Sequence, residues 1–371
     1  MRLWNNTTIS INEHPIPIDK SPRYLGVYLD KHLSWLPHLK VMEKEVKERV
    51  NLLKRFSSTK HGLKTKQLRN IYQAFINPKL TYACPVWFQE VAGGNSAVYN
   101  RIWELESKAI RMIIGAPQST PIISLNVEAC VLPWGFNCDL HTARFAIRSI
   151  HDHKDEWHSM SDLSPETSPI NQILSVIGSL NIIDTTSFKS LPPQYQTKPY
   201  GHDWTLPKLL ESAYGNIILK WQHAWATNDT AKHHHQISPN VYLPTKPHHQ
   251  AGLTRQQEVS ITRCRLNHAF TNSYKHRIIN PNHDPTCRFC GLEDETVEHL
   301  FTECSTILTS LASSRLALAR FNHTQPDQLK IEDILGDYAM RKSHHFNPTL
   351  PKSSMPLISQ VLNLITQQIH L

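Results

Sequence analysis

Trp35-Leu36-Pro37-His38-Leu39-Lys40-Val41-Met42-Glu43-Lys44-Glu45-Val46-Lys47-Glu48-Arg49-Val50-Asn51-Leu52-Leu53-Lys54-Arg55-Phe56 sets the period of the whole chain. Leu39, Met42, Val46, Val50 and Leu53 recur at steps of three and four, which is one apolar face of an α-helix. Lys40, Lys47 and Lys54 each fall one position beyond a stripe residue, about 100° round the same helix, and with Lys44, two positions beyond Met42, form a basic ridge. The same period returns in Leu68, Ile71, Tyr72 and Phe75 behind Thr65 as a possible N-cap. It returns again from Val98 to Ile114, with Gly115 and Pro117 as the stop, and from Cys138 to His151.

Beyond these helices the composition changes. Residues 153–205 accumulate Ser, Thr and Pro, and read as a linker with one short helix near Ile170–Leu180. Helical spacing resumes at Leu206–Trp225, Thr254–His276 and Thr306–Phe321, and in an amphipathic tail at Leu357–Ile369. Strand signals are confined to the start, where Ile9, Ile11, Ile16 and Ile18 flank Asn12-Glu13-His14-Pro15 as a hairpin would require. The predicted fold is therefore mainly α. A short β-hairpin (1–34) precedes a helical bundle (35–152), the linker, a second helical region with a small metal knuckle (206–330) and the tail (331–371).

With 371 residues, 40% of them hydrophobic, the chain suits two or three domains with a sizeable core. It has no apolar run near the ~20 residues that span a bilayer and no basic-then-apolar leader at Met1. The expected location is intracellular, nucleus or cytoplasm, without a membrane partner and not secreted. The seven cysteines then read as thiols and metal ligands, with Cys84, Cys130, Cys138 and Cys264 as buried free thiols. The net charge is +8, and Lys40–Arg69 holds ten Lys/Arg against Glu43, Glu45 and Glu48. Nearly the whole excess sits in thirty residues, the distribution that a polyanion-binding surface needs. The histidines are numerous, with the runs His233-His234-His235 and His248-His249, and composition alone is a weak argument for metal binding by either.

Cys287-Arg288-Phe289-Cys290-Gly291 and His299-Leu300-Phe301-Thr302-Glu303-Cys304 supply three thiols and one imidazole within eighteen residues. Cys287, Cys290, His299 and Cys304 match the four S/N ligands of a tetrahedral Zn²⁺ site, and with no open position the zinc would be structural. Gly291 lets amide N–H groups approach the thiolates, and Asp294 or Thr296 is the expected N-cap of a short helix carrying the second pair. Arg288 is the one base between Cys287 and Cys304, against Glu293, Asp294, Glu295, Glu298 and Glu303. Acids so close to the metal repel a phosphate backbone within the ~10 Å screening length, which favours a brace over a nucleic-acid clamp. Phe289 can stack on a base or cap its own core. The preceding helix, with Arg255, Arg263, Arg265, Lys275 and Arg277, is the better contact surface. No Ser/His/Asp grouping, phosphate-cradling Gly loop or HExxH motif is visible, so no catalytic residue is assigned.

Three stretches resemble one family. Arg23-Tyr24-Leu25-Gly26-Val27-Tyr28-Leu29-Asp30, with Leu33-Ser34-Trp35 and His38, is similar to the segment just after the polymerase palm of LINE-type (non-LTR) retrotransposon reverse transcriptases. Ile71-Tyr72-Gln73-Ala74-Phe75-Ile76-Asn77-Pro78, Thr81-Tyr82-Ala83-Cys84-Pro85-Val86-Trp87 and Leu105–Pro117 resemble the thumb of the jockey and I-like groups. Thr262-Arg263-Cys264-Arg265-Leu266-Asn267-His268 and the CCHC segment resemble their carboxyl-terminal region. The resemblance covers roughly 5–150 and 206–371. It implies RNA or DNA as partner, and the charge distribution assigns the contacts to Lys40, Lys44, Lys47, Lys54, Arg55, Arg69, Arg263 and Arg265.

Polymerisation in that family uses two Mg²⁺ held by carboxylates that include an adjacent Asp-Asp pair. This sequence contains no Asp-Asp pair, so the Mg²⁺ site is expected to be absent. Residues 153–204 are too short for the ribonuclease H domain that many members carry there, with Asp184 as the best remnant of its first strand. The expectation is a reverse transcriptase-derived protein without a polymerase site that retains nucleic-acid binding. The alternatives are a zinc-stabilised nucleic-acid-binding or scaffold protein recruited from such an element, and a fragment of an active RNA-directed DNA polymerase whose palm is encoded upstream. RNA-versus-DNA preference and oligomeric state stay open.

Overall fold

The computed structural model describes residues 10–12, 14–15, 19–92, 97–152, 173, 175–176, 178, 206–241, 246, 249 and 253–337. Hairpin residues Ile9, Ile16 and Ile18, most of the linker with Asp184, and the Leu357–Ile369 tail lie outside the described residues. The described chain is mostly helical, with two small antiparallel hairpins at its start. β1 (Ser10–Ile11) pairs with β2 (His14–Pro15), Ile11 opposite His14. The predicted turn tetrad thus gives two of its residues to a strand, because Asn12 tolerates the left-handed conformation (φ 49°) and the chain reverses sooner. β3 (Arg23–Tyr24) and β4 (Val27–Tyr28) are joined by Leu25 and Gly26, both at positive φ as a tight hairpin turn demands. Tyr82 donates its hydroxyl to the Leu25 carbonyl at 2.7 Å and ties this hairpin to the helices.

α1 (Leu36–Phe56) starts where Asp30 accepts the backbone N–H groups of His32 and Trp35 and the Ser34 hydroxyl. All five residues of its apolar stripe are buried. α2 (Thr65–Ile71) runs through a wide π turn (Tyr72–Ile76) into α3 (Asn77–Thr81). α4 (Cys84–Ala92), α5 (Ala97–Ile114), α6 (Ile122–Ala129) and α7 (Trp134–Asp152) complete the first unit. Its core joins the α1 stripe to Ile102, Ala109 and Ile113 of α5 and to Trp87 and Trp134. Both indoles donate to carbonyls at helix ends, Trp87 to Tyr82 and Trp134 to Leu80, each at 2.9 Å. α6 escaped the period search because six of its eight residues are buried and no polar face marks a repeat.

α7 is buried on two sides. Trp134 and Cys138 face the first core, while Leu140, Ala143, Ile147 and Ile150 meet Leu209, Ala213 and Ile217 of α8 (Leu206–Ala226). Apolar contact therefore passes directly from the first helical unit to the chain beyond residue 205. α9 (Lys232–Ile237) carries the histidine tract into this core: His235 lies against Trp225, ring centroids 5.4 Å apart, and burial pushes His233 down to about 4.

α10 (Arg255–Arg265) opens with the Thr254–Gln257 capping box and stops at Asn267 (φ 55°), with the His268 N–H bonded back to the Arg263 carbonyl at 2.7 Å. The predicted Thr254–His276 helix is accordingly two pieces, the second being α11 (Asn272–Tyr274) and a π turn (Lys275–Ile279). α12 (Ser305–Ser310), α13 (Ala312–Asn322) and α14 (Ile331–Leu335) close a third core around Ile261, Cys264, Leu300 and Phe301.

α10 locks the regions together through helix ends. Glu258 accepts the Thr65 N–H at 2.8 Å, a carboxylate at the positive end of α2. Arg255 donates to the Ile113 and Met112 carbonyls at 2.8 and 2.9 Å, and Arg263 to Gly115 at 3.0 Å, so two cations cap the negative end of α5. Gly115 is required twice over: its φ is +69°, and a Cβ there would meet Val259 at 2.5 Å.

Buried titratable groups shape the pH dependence. Burial holds His38 down to about 4, with neither ring nitrogen bonded among the described residues, and holds His233 down to about 4 against a hydrogen bond to the Cys264 backbone. Burial pushes the Glu106 carboxyl up to about 8, against hydrogen bonds from Tyr72, Trp134 and Asn126. The two histidines contribute stability that is present above their unfolded pKa of about 6.5 and is lost as pH falls through the folded value. Glu106 contributes stability that is complete below about 4.5 and is lost as pH rises through about 8. Each group changes stability by about 1.4 kcal/mol per pH unit inside its window. These three groups together are expected to raise stability by roughly 1.4 kcal/mol per unit from pH 4.5 to 6.5 and to lower it by as much from 6.5 to 8, with His141 and His234, which burial also holds down, steepening the acid side. Glu106→Gln should turn the alkaline fall into a plateau in urea titrations. A retained fall would show that Glu106 is ionised in the fold.

Candidate metal centre and basic surface

The first ligand pair sits on a tight turn. The Gly291 N–H donates to the Cys287 carbonyl at 2.8 Å, with Gly291 left-handed at φ +67°. That turn aims the Leu292 and Glu293 amides at Cys290, and these, with His299 and Cys287, hold its thiol down to about 6 against burial. The second pair comes from a helical turn capped by Thr296, whose hydroxyl accepts the His299 N–H at 3.0 Å. Thr296, the second of the two residues proposed from sequence, is thus the cap. An α-helix would set residues five apart about 140° from each other. Here the turn His299–Glu303 is π-helical, its N–H bonds reaching back five residues, and the Cys304 N–H closes on the His299 carbonyl at 2.7 Å. One extra residue per turn brings both ligands to one side.

The four donor atoms lie within 4.8 Å of one another. Cys287 Sγ and Cys304 Sγ are 3.9 Å apart, and Cys290 Sγ is 3.3 Å from His299 Nε2. A tetrahedron with Zn–S about 2.3 Å and Zn–N about 2.0 Å has edges of about 3.8 Å between sulfurs and about 3.5 Å between sulfur and nitrogen. The donor set fits. Glu303 lies 3.6 Å from His299 Nδ1, on the side where a carboxylate steers a ligating imidazole. Burial and the neighbouring thiols push Cys304 up to about 11, a proton that a metal ion would displace. Cys287, Cys290, His299 and Cys304 can therefore hold a metal ion, whereas Cys84, Cys130, Cys138 and Cys264 are free and buried.

Around the ligands, Glu295 is wholly buried and bonds both Arg288 Nη2 at 2.6 Å and Arg288 Nε at 2.7 Å. The single base of the segment is thus consumed. Glu293, Asp294, Glu298 and Glu303 remain exposed, so the surface of the knuckle is acidic. Phe289 packs against the third core and caps it.

The basic surface divides into residues that reach solvent and residues that do not. Lys40, Lys44, Lys47, Lys54 and Arg55 are exposed along α1. Two acids of that helix are drawn away, Glu43 to Arg101 at 2.9 Å and Glu45 to Lys79. Near the far end of α5 a groove of about 650 Å³ is lined by Glu104, Lys108, Arg111, Gln118 and Arg263.

The structure corrects two predicted contacts outright. Arg265 is fully buried: Nε and Nη2 bond Glu128 at 2.9 and 3.1 Å, Nη2 bonds Asp337 at 2.8 Å, and Nη1 bonds the Leu335 carbonyl. Arg69 is 6% exposed and points inward. Neither belongs to the exposed basic ridge. Arg255 is also buried on α5, and Arg263 is half-buried over the Phe270 ring, 4.7 Å from its centroid. Sequence reasoning missed Glu128, His234, Lys246 and Asp337, which complete the Arg265 network: His234 Nε2 lies 3.0 Å from Glu128 and Lys246 Nζ 2.6 Å from Asp337. The signal available was one acid, Glu128, inside the apolar run Ile122–Leu132.

A probable RNA-directed DNA polymerase from transposon BS of Drosophila melanogaster is 27% identical to this chain over 131 residues, 35% of this chain and 14% of that protein. This partial similarity supports a reverse-transcriptase-related origin. No family model and no solved structure matches the chain. Among the described residues no helix is long and apolar enough to cross a membrane.

Proposed function

We propose that this stretch is the thumb-like, zinc-braced part of a LINE-type reverse transcriptase-derived protein, and that it binds RNA or DNA through α1. The observation that carries the reading is the row of five exposed cations, Lys40, Lys44, Lys47, Lys54 and Arg55, on a helix whose other face is locked in the core. The groove with Lys108 and Arg111 extends that positive surface. Zinc is the metal best suited to three thiolates and one imidazole at tetrahedral spacing, and its role is to brace the third core. With exposed acids around it, the knuckle stands apart from the nucleic acid.

Polymerase chemistry has no place in this reading, since the 371 residues contain no adjacent Asp pair, and primer extension with Mg²⁺ is expected to give no product. Replacing Lys40, Lys44, Lys47 and Lys54 with Ala should reduce the slope of log affinity against log salt by roughly 2 to 4, at about 0.7–0.9 per phosphate contact. Fluorescence anisotropy with a labelled RNA hairpin reads this directly, and an unchanged slope removes the ridge. A second reading, work inside a longer active polymerase, is favoured by the match to a small part of a much longer protein. An open frame upstream of Met1 encoding an Asp-Asp hairpin would decide for it.

A further inference from the structure

Arg69 poses a problem that neither the metal centre nor the basic ridge answers. It is 6% exposed, and its Nε and Nη1 are closed to solvent without a hydrogen-bond partner among the described residues. A guanidinium remains protonated even when burial lowers its pKa, as here, so the fold encloses a cation. An enclosed charge without compensation costs several kcal/mol, on the order of what breaking a buried ion pair costs.

Among the described residues the cavity wall holds no anion. Arg69 lines a cavity of about 280 Å³ together with Arg144, Gln73, Asn77, Asn137 and Tyr214. Its lining has two guanidinium groups and no carboxylate. Cys130, also in the wall, is pushed up to about 11 by burial and stays a neutral thiol. Glu106, bonded to the far side of Tyr72, is held neutral at pH 7 by its own burial. Asn137 and Asn77 bond each other at 2.8 Å, which fixes two amides in the wall.

We propose that this cavity, between α2, α7 and α8, is a binding site for a phosphate group, with Arg69 at its base and Arg144 at its half-exposed side. The Arg144 guanidinium and the edge of Arg69 that lines the cavity bring positive charge from two helices to the phosphate oxygens, and the side-chain amides donate to the remainder. The volume is at the small end of ligand sites, enough for a phosphate with little more than one nucleotide attached. The phosphate can arrive free or as the 5′ end of a strand. The site lies apart from α1, so it stands or falls independently of the ridge.

Thermal unfolding of the full chain in sodium phosphate against sodium chloride at equal ionic strength tests the site. Phosphate should raise the wild-type midpoint by several degrees, and Arg69→Met should abolish the rise. Without phosphate, Arg69→Met should melt no lower than wild type, because it removes an uncompensated charge from the interior. A lower midpoint in chloride would mean that Arg69 has a protein partner, and would overturn the proposal. If Arg69→Met does not fold, Arg144→Met carries the test, with at least tenfold weaker phosphate binding expected by calorimetry. No phosphate shift in the wild type, or an undiminished one in the variant that folds, also overturns it. A 5′-phosphorylated RNA dodecamer preferred at least tenfold over its 5′-hydroxyl form, with the preference lost in the variant, assigns the phosphate to a strand end. Equal binding of the two, with the free-phosphate shift intact, assigns it to a small molecule.

Discussion

Cys290→Ala is expected to strip the chain of metal and to loosen residues 285–311 together with the core they cover. Cys290 is the right ligand to remove because it is the most exposed of the three thiols, so alanine deletes a donor and little packing. Cys287 and Cys304 are buried in the third core, and replacing them would mix metal loss with cavity formation. Between Cys287 and Cys304 the described chain has one isolated bridge, Thr286–Asp294, and one π turn. Such a segment has too little regular structure to hold Val297, Leu300 and Phe301 in place by itself. Structural zinc in small peptides is worth roughly 10–16 kcal/mol of binding that appears as folding energy. Here Arg288–Glu295 and the Arg315 bond to the Phe301 carbonyl carry part of the order, so partial unfolding is the expected outcome. Metal analysis should give one zinc per wild-type chain and none in the variant, with fast amide exchange spreading to α12 and α14. Full metal content in Cys290→Ala would sink the assignment.

What the sequence made legible follows from how local each signal is. The α1 stripe, the helix ending at Ile114 with its glycine stop and the start of a helix at Thr254 are each written within a few neighbouring residues, and each is found in the structure. The metal ligands were legible for the same reason, two short-range pairs with unusual chemistry. Arg69 and Arg265 were not. A lysine on a ridge and an arginine facing a carboxylate 137 positions away look alike in one dimension. The split of Thr306–Phe321 into α12 and α13 at Leu311 was equally hidden, because helical spacing survives on both sides of the break.

Arg265→Met carries the other large effect. Glu128 and Arg265 are both 0% exposed and Asp337 is 4% exposed, so the network has almost no water to fall back on. Two carboxylates face Arg265 and Lys246, while burial keeps His234 neutral despite its bond to Glu128. Burial alone would push Asp337 up, yet Arg265 and Lys246 hold it at about 2. Removing Arg265 takes two hydrogen bonds and a full positive charge from Glu128 at a site closed to water. Breaking such a pair from one side costs about 3–5 kcal/mol. Methionine fills most of the volume, so the loss reports charge more than packing. A double substitution with Glu128→Gln should recover part of it, with a coupling of roughly 1–3 kcal/mol in urea titrations, because the amide needs no counter-charge. The three helices that meet here, α6, α10 and α14, would otherwise be joined mainly by apolar contact. The guanidinium therefore fixes how the first unit and the third core sit together. A single-variant loss below about 1 kcal/mol, with RNA binding weakened instead, would return Arg265 to the surface and to the nucleic acid.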